Sequence, residues 1–357
     1  MISSKPVSAD AMKVTGENLV ASMRHAIETC RTKSANPDIV LTLHGLTIRL
    51  HCKNTTFLGH CLNHIVNDLS FAMKSQKTID IHVTSPEDGL LGPPPLWGEE
   101  TYQTPRIEAM LETTPVRAGY YDALGLWHVY DHESDTGLQW MQSPVAYPPW
   151  ESAGPLRIFM HWALSTPESR LVHAGTLGQN GKAVLMVGRG GSGKSSTVVA
   201  GITHHMQSAG DDYVHVRQDA GGTNVYPVFS VLKQDAAGLN RLGLFDIPAQ
   251  NTANWQAKYE FGAQDVGGMP MTGPLAVKAI LIPVIGNRED TSITPASKKE
   301  AMLALAPSTV LQMPGERISG MAFFADLVRR LPCYRLTLGR DPAGIVAAIR
   351  NFLEAQK

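Results

Sequence analysis

Residues 183–197 read Ala-Val-Leu-Met-Val-Gly-Arg-Gly-Gly-Ser-Gly-Lys-Ser-Ser-Thr, and this stretch decides the fold. Ala183 to Val187 form an apolar run of strand length bounded upstream by the turn residues Gln179-Asn180-Gly181-Lys182. Gly188 to Ser195 then match the pattern G-x-x-x-x-G-K-[ST] in full. Thr197, Val198, Val199, Ala200 and Ile202 follow as a helix-forming segment starting near Lys194. Strand, glycine-rich turn and helix in that order are the context in which this pattern holds a polyphosphate. A polyphosphate needs several backbone donors converging on a small volume, and side chains would block their approach. Gly188, Gly190, Gly191 and Gly193 leave the amides open, and the helix that follows turns its positive end toward the anion. The expected nucleotide contacts are Gly188, Arg189, Gly190, Gly191, Ser192, Gly193, Lys194, Ser195 and Ser196. Lys194 is expected to reach the β- and γ-phosphates, and the Ser195 hydroxyl to ligate Mg²⁺.

Soon after that helix, beyond Ser208-Ala209-Gly210, comes Asp211-Asp212-Tyr213-Val214-His215-Val216. Two adjacent carboxylates at the edge of a β-prone stretch can divide two tasks: one holds Mg²⁺, and the other takes a proton from an attacking hydroxyl. Mutual repulsion raises one pKa of such a pair, which suits a general base. The pattern leaves open which aspartate does which.

The order of these elements resembles the HPr kinase/phosphorylase superfamily, and more closely its bacterial HPr-kinase-like serine kinases. The resemblance rests on His173-Ala174-Gly175, Gly181-Lys182, Val184 to Val187, Gly188 to Ser196 and Asp211-Asp212-Tyr213. It runs more loosely through Tyr226-Pro227, Leu232-Lys233 and Leu331-Pro332-Cys333-Tyr334-Arg335-Leu336. It implies an α/β P-loop kinase domain of the HPr kinase and phosphoenolpyruvate carboxykinase type, using ATP and Mg²⁺ to phosphorylate a serine hydroxyl. Carried over, His173 lies near the phosphates, Asp211 and Asp212 serve metal and base, and Lys258 approaches the transferred phosphoryl group. Two departures stand out. The glycine-rich signature that accompanies dephosphorylation is missing after the acidic pair, and Gly190 stands where those enzymes carry serine. Similar stand-alone kinases act on precursor peptides of lasso and other modified-peptide systems, so a peptide or protein serine is the expected acceptor. A small-molecule kinase, or a nucleotide-gated switch or ATPase without an acceptor, are the alternatives.

The remainder of the 357 residues sets the surroundings. Leu19, Val20, Met23, Ile27 and Cys30 recur at helical spacing. A hairpin follows, Ile39-Leu43 and Leu46-Cys52 about His44-Gly45. Leu58, Leu62, Ile65, Leu69 and Met73 return to helical spacing, and Ile79, Ile81 and Val83 read as a strand. Gly92-Pro93-Pro94-Pro95 and Pro144, Pro148 and Pro149 punctuate the chain, with a second hairpin between them around Trp127 to Trp140. The expected organisation is therefore a smaller N-terminal α+β domain over 1–150, assisting acceptor recognition, and a catalytic domain over 151–357.

Hydrophobic residues make up 43% and charged residues 18%, enough for substantial cores, and the formal net charge of −1 supplies no general attraction for nucleic acid or anionic lipid. The first residues lead into no apolar signal core. The longest apolar run, Pro274 to Pro283, is too short for a span of ~20 residues and reads as a buried strand. Four cysteines make no disulfide framework, so the cytoplasm is the expected compartment. Homo-oligomerisation stays open. Cys52, His60, Cys61 and His64 crowd together but match no standard zinc spacing, so an ordinary amphipathic helix is expected there.

Overall fold

The computed structural model of the chain describes residues 16–33, 36–67, 77–88, 104–121, 124–143, 151–247, 251–310, 312–315 and 317–356. The architecture is mixed α/β, with parallel strands in both large sheets. The first sheet comprises β1 (Ile39–Leu43), β2 (Leu46–Cys52), β3 (Lys77–Thr84), β4 (Val116–Tyr121), β5 (Leu126–Asp131) and β6 (Thr136–Met141). Its order is β1-β2-β3-β6-β5-β4. The two expected hairpins are present, turning at Gly45 (φ 79°) and Asp135 (φ 49°). Side chains alternate across the pleat, as a period of two requires. In β5, Trp127 and Val129 face α1 (Gly16–Lys33), which buries Leu19, Met23 and Ile27, while Leu126 and Tyr130 join the opposite core.

The helix expected from Leu58 to Met73 is shorter than its periodicity suggests. Helix α2 runs Thr55–His64, capped by Asn54, whose side chain accepts from Phe57 N at 3.0 Å. It stops because the backbone turns extended at Ile65 to bridge Phe229, with Val66 N donating to Val228 O at 2.9 Å. Leu69 and Met73, the Gly92–Pro95 connector and the boundary near Trp150 lie outside the described residues. Helix α3 (Thr104–Leu111) leads into β4.

After α4 (Arg157–Leu164) come β7 (Ser169–His173), β8 (Gly175–Gln179), β9 (Lys182–Met186), α5 (Lys194–Thr203), β10 (Tyr213–Asp219) and β11 (Gly222–Tyr226). Next are β12 (Val231–Asp235), α6 (Ala236–Arg241), β13 (Lys258–Gly262) and β14 (Leu275–Ile285). Then follow β15 (Ser292–Pro295), α7 (Lys298–Val310), α8 (Arg317–Arg330), β16 (Cys333–Leu338) and α9 (Pro342–Ala355). Strand β9 has antiparallel β8 on one side and parallel β14 on the other, and β16 runs parallel beyond β14. Helices α5 and α9 cover one face of these strands through Val198, Ile202, Ile345 and Ile349. Strands β12 and β13 form a separate two-stranded ribbon.

One core joins the two sheets. Leu41, Ile48, Ile79 and Ile81 from the first pack with α4's Phe159 and Trp162 and with Leu171, Tyr213, Val228 and Phe229. Phe159 sits so close to β6 that a Cβ at Gly137 would lie 2.7 Å from its ring. Among the described residues no helix is long and apolar enough to cross a membrane. Phe159→Ala is therefore expected to cost about 3–5 kcal/mol, read by denaturant unfolding with probes in both sheets. Two separate transitions, only one of them shifted, would show that the cores are not shared.

Candidate active site

Strand β9 is nearly all buried and carries the chain to Gly188 at the sheet's rim, where Val187 N still pairs with Leu281 O at 3.0 Å. The glycine-rich turn follows, left-handed at Gly191 (φ 76°) and Gly193 (φ 95°). Gly193 is required twice over, because a Cβ there would also lie 2.4 Å from Leu338 Cδ1. Helix α5 starts at once, with Thr197 N donating to Gly193 O at 3.0 Å. Arg189, Gly190 and Gly191 are exposed, whereas Lys194 is only 6% exposed. Its Nζ folds onto the turn, donating to Gly188 O at 2.5 Å and Arg189 O at 3.3 Å. Ser192 Oγ is buried without a hydrogen-bond partner, and Ser196 Oγ accepts from Gln234 Nε2 at 2.6 Å.

The acidic pair is held against this turn by β8. Thr176 N donates to Gly210 O at 2.9 Å, and Thr176 Oγ1 accepts from Ala209 N at 2.8 Å. Asp211 and Asp212 then emerge into different surroundings. Asp211 is 3% exposed; its carboxylate makes no tight hydrogen bond, and the Ser195 hydroxyl is the hydrogen-bonding side chain that acts on it. Asp212, whose side chain is 29% exposed, is bracketed by two bases: His173 Nε2 lies 2.9 Å from Oδ1, and Lys233 Nζ donates to Oδ2 at 2.5 Å. His173 ends β7 directly opposite Tyr213, and their rings stack 5.1 Å apart. The Arg157 guanidinium lies over the Tyr213 ring, 5.0 Å from its centroid.

These surroundings drive the neighbours' acidities apart. Burial pushes the Asp211 carboxyl up to about 6, Asp212's charge adds to the rise, and Lys233, Ser195 and Lys194 draw it partly back. Burial would raise Asp212 too, but the Lys233 charge and the His173 hydrogen bond outweigh it and hold Asp212 well below the usual carboxylate range. Burial lowers the Lys194 ammonium against the pull of both aspartates, and the Lys258 charge lowers it further. Lys258, at the start of β13 opposite Asp235, is thus near enough to Lys194 to be felt.

The expected residues therefore gather in one place: the turn from Gly188 to Ser196, His173, Asp211, Asp212 and Lys258. Sequence reading missed Lys233 and Gln234 as site residues. They are neighbours on β12, one reaching Asp212 and the other Ser196. Val231 to Asp235 shows no motif, so only the ribbon's docking reveals them. It also missed Glu151, fully buried and pushed up to about 7 by that burial, with Arg157 and the Leu156 backbone drawing it back. The Cys52, His60, Cys61 and His64 group is ordinary packing: both cysteines are buried, and His64 Nδ1 lies 2.5 Å from Ser152 O. His204 closes α5 as its C-terminal cap, with Nδ1 2.8 Å from Ala200 O. Trp127 and Trp162 are core residues, and Trp150 lies outside the described residues.

No family model matches the chain, and no curated protein is similar to it in sequence. Among solved structures, the Hpr(Ser) kinase/phosphatase from Coxiella burnetii is similar over 51% of this chain and 95% of its own, at 12% identity and a TM-score of 0.28. At that score the likeness carries no weight for activity.

The unequal aspartates give opposite mutational effects. Asp211's folded pKa lies above its unfolded value, so its stability contribution is full at low pH and is lost as pH rises through about 6. Asp211→Asn is expected to unfold at a higher temperature than wild type at pH 8, the gap closing toward pH 4, as measured by calorimetry across pH. Asp212→Asn strands the Lys233 charge in the interior and is expected to cost about 3 kcal/mol at pH 8. Matching shifts in the two variants would refute the asymmetry.

Proposed function

We propose that the chain transfers the γ-phosphoryl group of ATP to a hydroxyl, that of a serine in a peptide or protein. The observation that carries this reading is the buried Asp211 carboxylate, which no Lys, Arg or His contacts among the described residues, beside Ser195 and Lys194 at the start of α5. A charge buried without a counter-charge in contact is costly, and a hard cation offsets it best. Ser195 and Asp211 fit Mg²⁺, which takes one or two protein oxygens and completes its shell with phosphate and water. When bound, Mg²⁺ neutralises charge on the phosphates.

The protein's own groups do the rest. Amides of the Gly188–Ser195 turn bind the phosphates, and Lys194 exchanges the carbonyls of Gly188 and Arg189 for phosphate oxygens. Asp212 is the aspartate with a face to solvent, so it meets the incoming hydroxyl. It orients that hydroxyl and takes its proton as the new oxygen–phosphorus bond forms and the bond to the nucleotide's bridging oxygen breaks. Its low pKa suits a loose transition state, in which positioning matters more than proton abstraction. His173 and Lys233 fix its two oxygens, and Lys258 is assigned the charge on the phosphoryl group in transit. The first sheet takes part in acceptor recognition, a modified-peptide precursor being one such acceptor. Four free cysteines and the need for ATP fit a cytoplasmic setting.

Labelled ATP supplied with co-expressed peptides and proteins tests this reading. The expected result is one labelled serine, mapped by mass spectrometry, with transfer falling at least about 100-fold in Lys194→Ala. Label passing only to water would replace a kinase with an ATPase or switch. Label passing only to a metabolite would make it a small-molecule kinase.

A further inference from the structure

Resting on the nucleotide reading above, the geometry points to a nucleobase subsite at the ends of β14 and β16, with Ile285 as its exposed apolar surface, backed by the buried Leu338. Strand β9, which delivers the phosphate-binding turn, has different neighbours on its two sides. On the β8 side lies the acidic turn: a Cβ at Gly175 would lie 3.3 Å from Asp211 O. On the β14 side lies an apolar ledge: a Cβ at Gly193 would lie 2.4 Å from Leu338 Cδ1 and 4.0 Å from Ile285 Cγ1. Strands β9, β14 and β16 run parallel, so their carboxyl ends reach one rim, where open α/β sheets bind ligands.

A nucleotide is a linear chain with its reactive phosphate at one end and its base at the other. With the terminal phosphate facing Asp211 and Asp212 and the middle of the chain on the turn, the nucleoside leaves across Gly193 toward β14. The side chain it meets first is Ile285, 67% exposed although its strand is otherwise mostly buried up to Pro283. An apolar side chain held in water at the rim of a phosphate-binding turn gains from covering by the flat face of a base. The ledge is firm: Gly286 N donates to Leu338 O at 3.1 Å, Gly339 N to Thr291 Oγ1 at 3.0 Å and Arg340 N to Glu289 O at 3.2 Å, tying the two strand ends together.

Isothermal titration of the full chain with Mg-ATP and, separately, with magnesium tripolyphosphate tests the subsite, since only ATP carries a base. Ile285 is exposed, so Ile285→Ser folds as wild type does. It is expected to weaken ATP about fivefold to tenfold and to leave tripolyphosphate unchanged. In Ile285→Trp, ATP is expected to quench the new indole's fluorescence and tripolyphosphate is not. Equal loss of both ligands, or no loss of either with no selective quenching, overturns the subsite. If wild type binds neither ligand, the phosphate-binding reading falls and this inference falls with it.

Discussion

Asp211 and Asp212 are consecutive residues on one turn, and two carboxylates that close together in a protein interior repel each other strongly. The fold resolves the repulsion by unequal treatment. Asp212 receives His173 from β7 and Lys233 from β12, while Asp211 receives burial and a cationic neighbour it does not touch. Much of the surrounding architecture serves this division. Strand β10 must pair with β7 to set His173 opposite Tyr213, and the β12–β13 ribbon must dock to deliver Lys233, Gln234 and Lys258. Remove the ribbon and Asp212 loses its lysine partner and keeps only His173.

Close packing is the second constraint. Glycines on either side of β9 allow approaches that any side chain would block. Gly175 lets β8 lie against α5's Val198, Gly193 lets the turn meet Leu338, and Gly201 lets the helix settle onto Leu177. The glycine-rich turn is thus squeezed from both flanks, which fixes the start of α5 relative to the acids. Preorganisation of that kind is what the proposed phosphoryl transfer would ask of the protein, since little of such a reaction's rate comes from covalent chemistry.

The strand, turn and helix around Gly188–Ser195 were legible because local chemistry determines them: an apolar run, glycines where backbone must be bare, and a helix former directly after. The hairpins at Gly45 and Asp135 were legible for the same reason. Lys233 was not, because a lysine in an alternating strand is most often a solvated one, and only the ribbon's packing turns it inward. The end of α2 at His64 was hidden too. The apolar period runs on past Ile65, but a long-range bridge to Phe229 takes the backbone away from the helix, a tertiary preference that no local pattern carries.

The core shared between the sheets bears on how such a chain can be rearranged over evolution. Leu171, Tyr213, Val228 and Phe229 are walled in by side chains from before residue 142, and Tyr213 directly follows Asp212. Detaching the later half would bare a greasy wall at the very strand that carries the acids. The amino-terminal portion is therefore no optional module to be swapped at will: change can accumulate on its outer surface, while the inward side stays fixed.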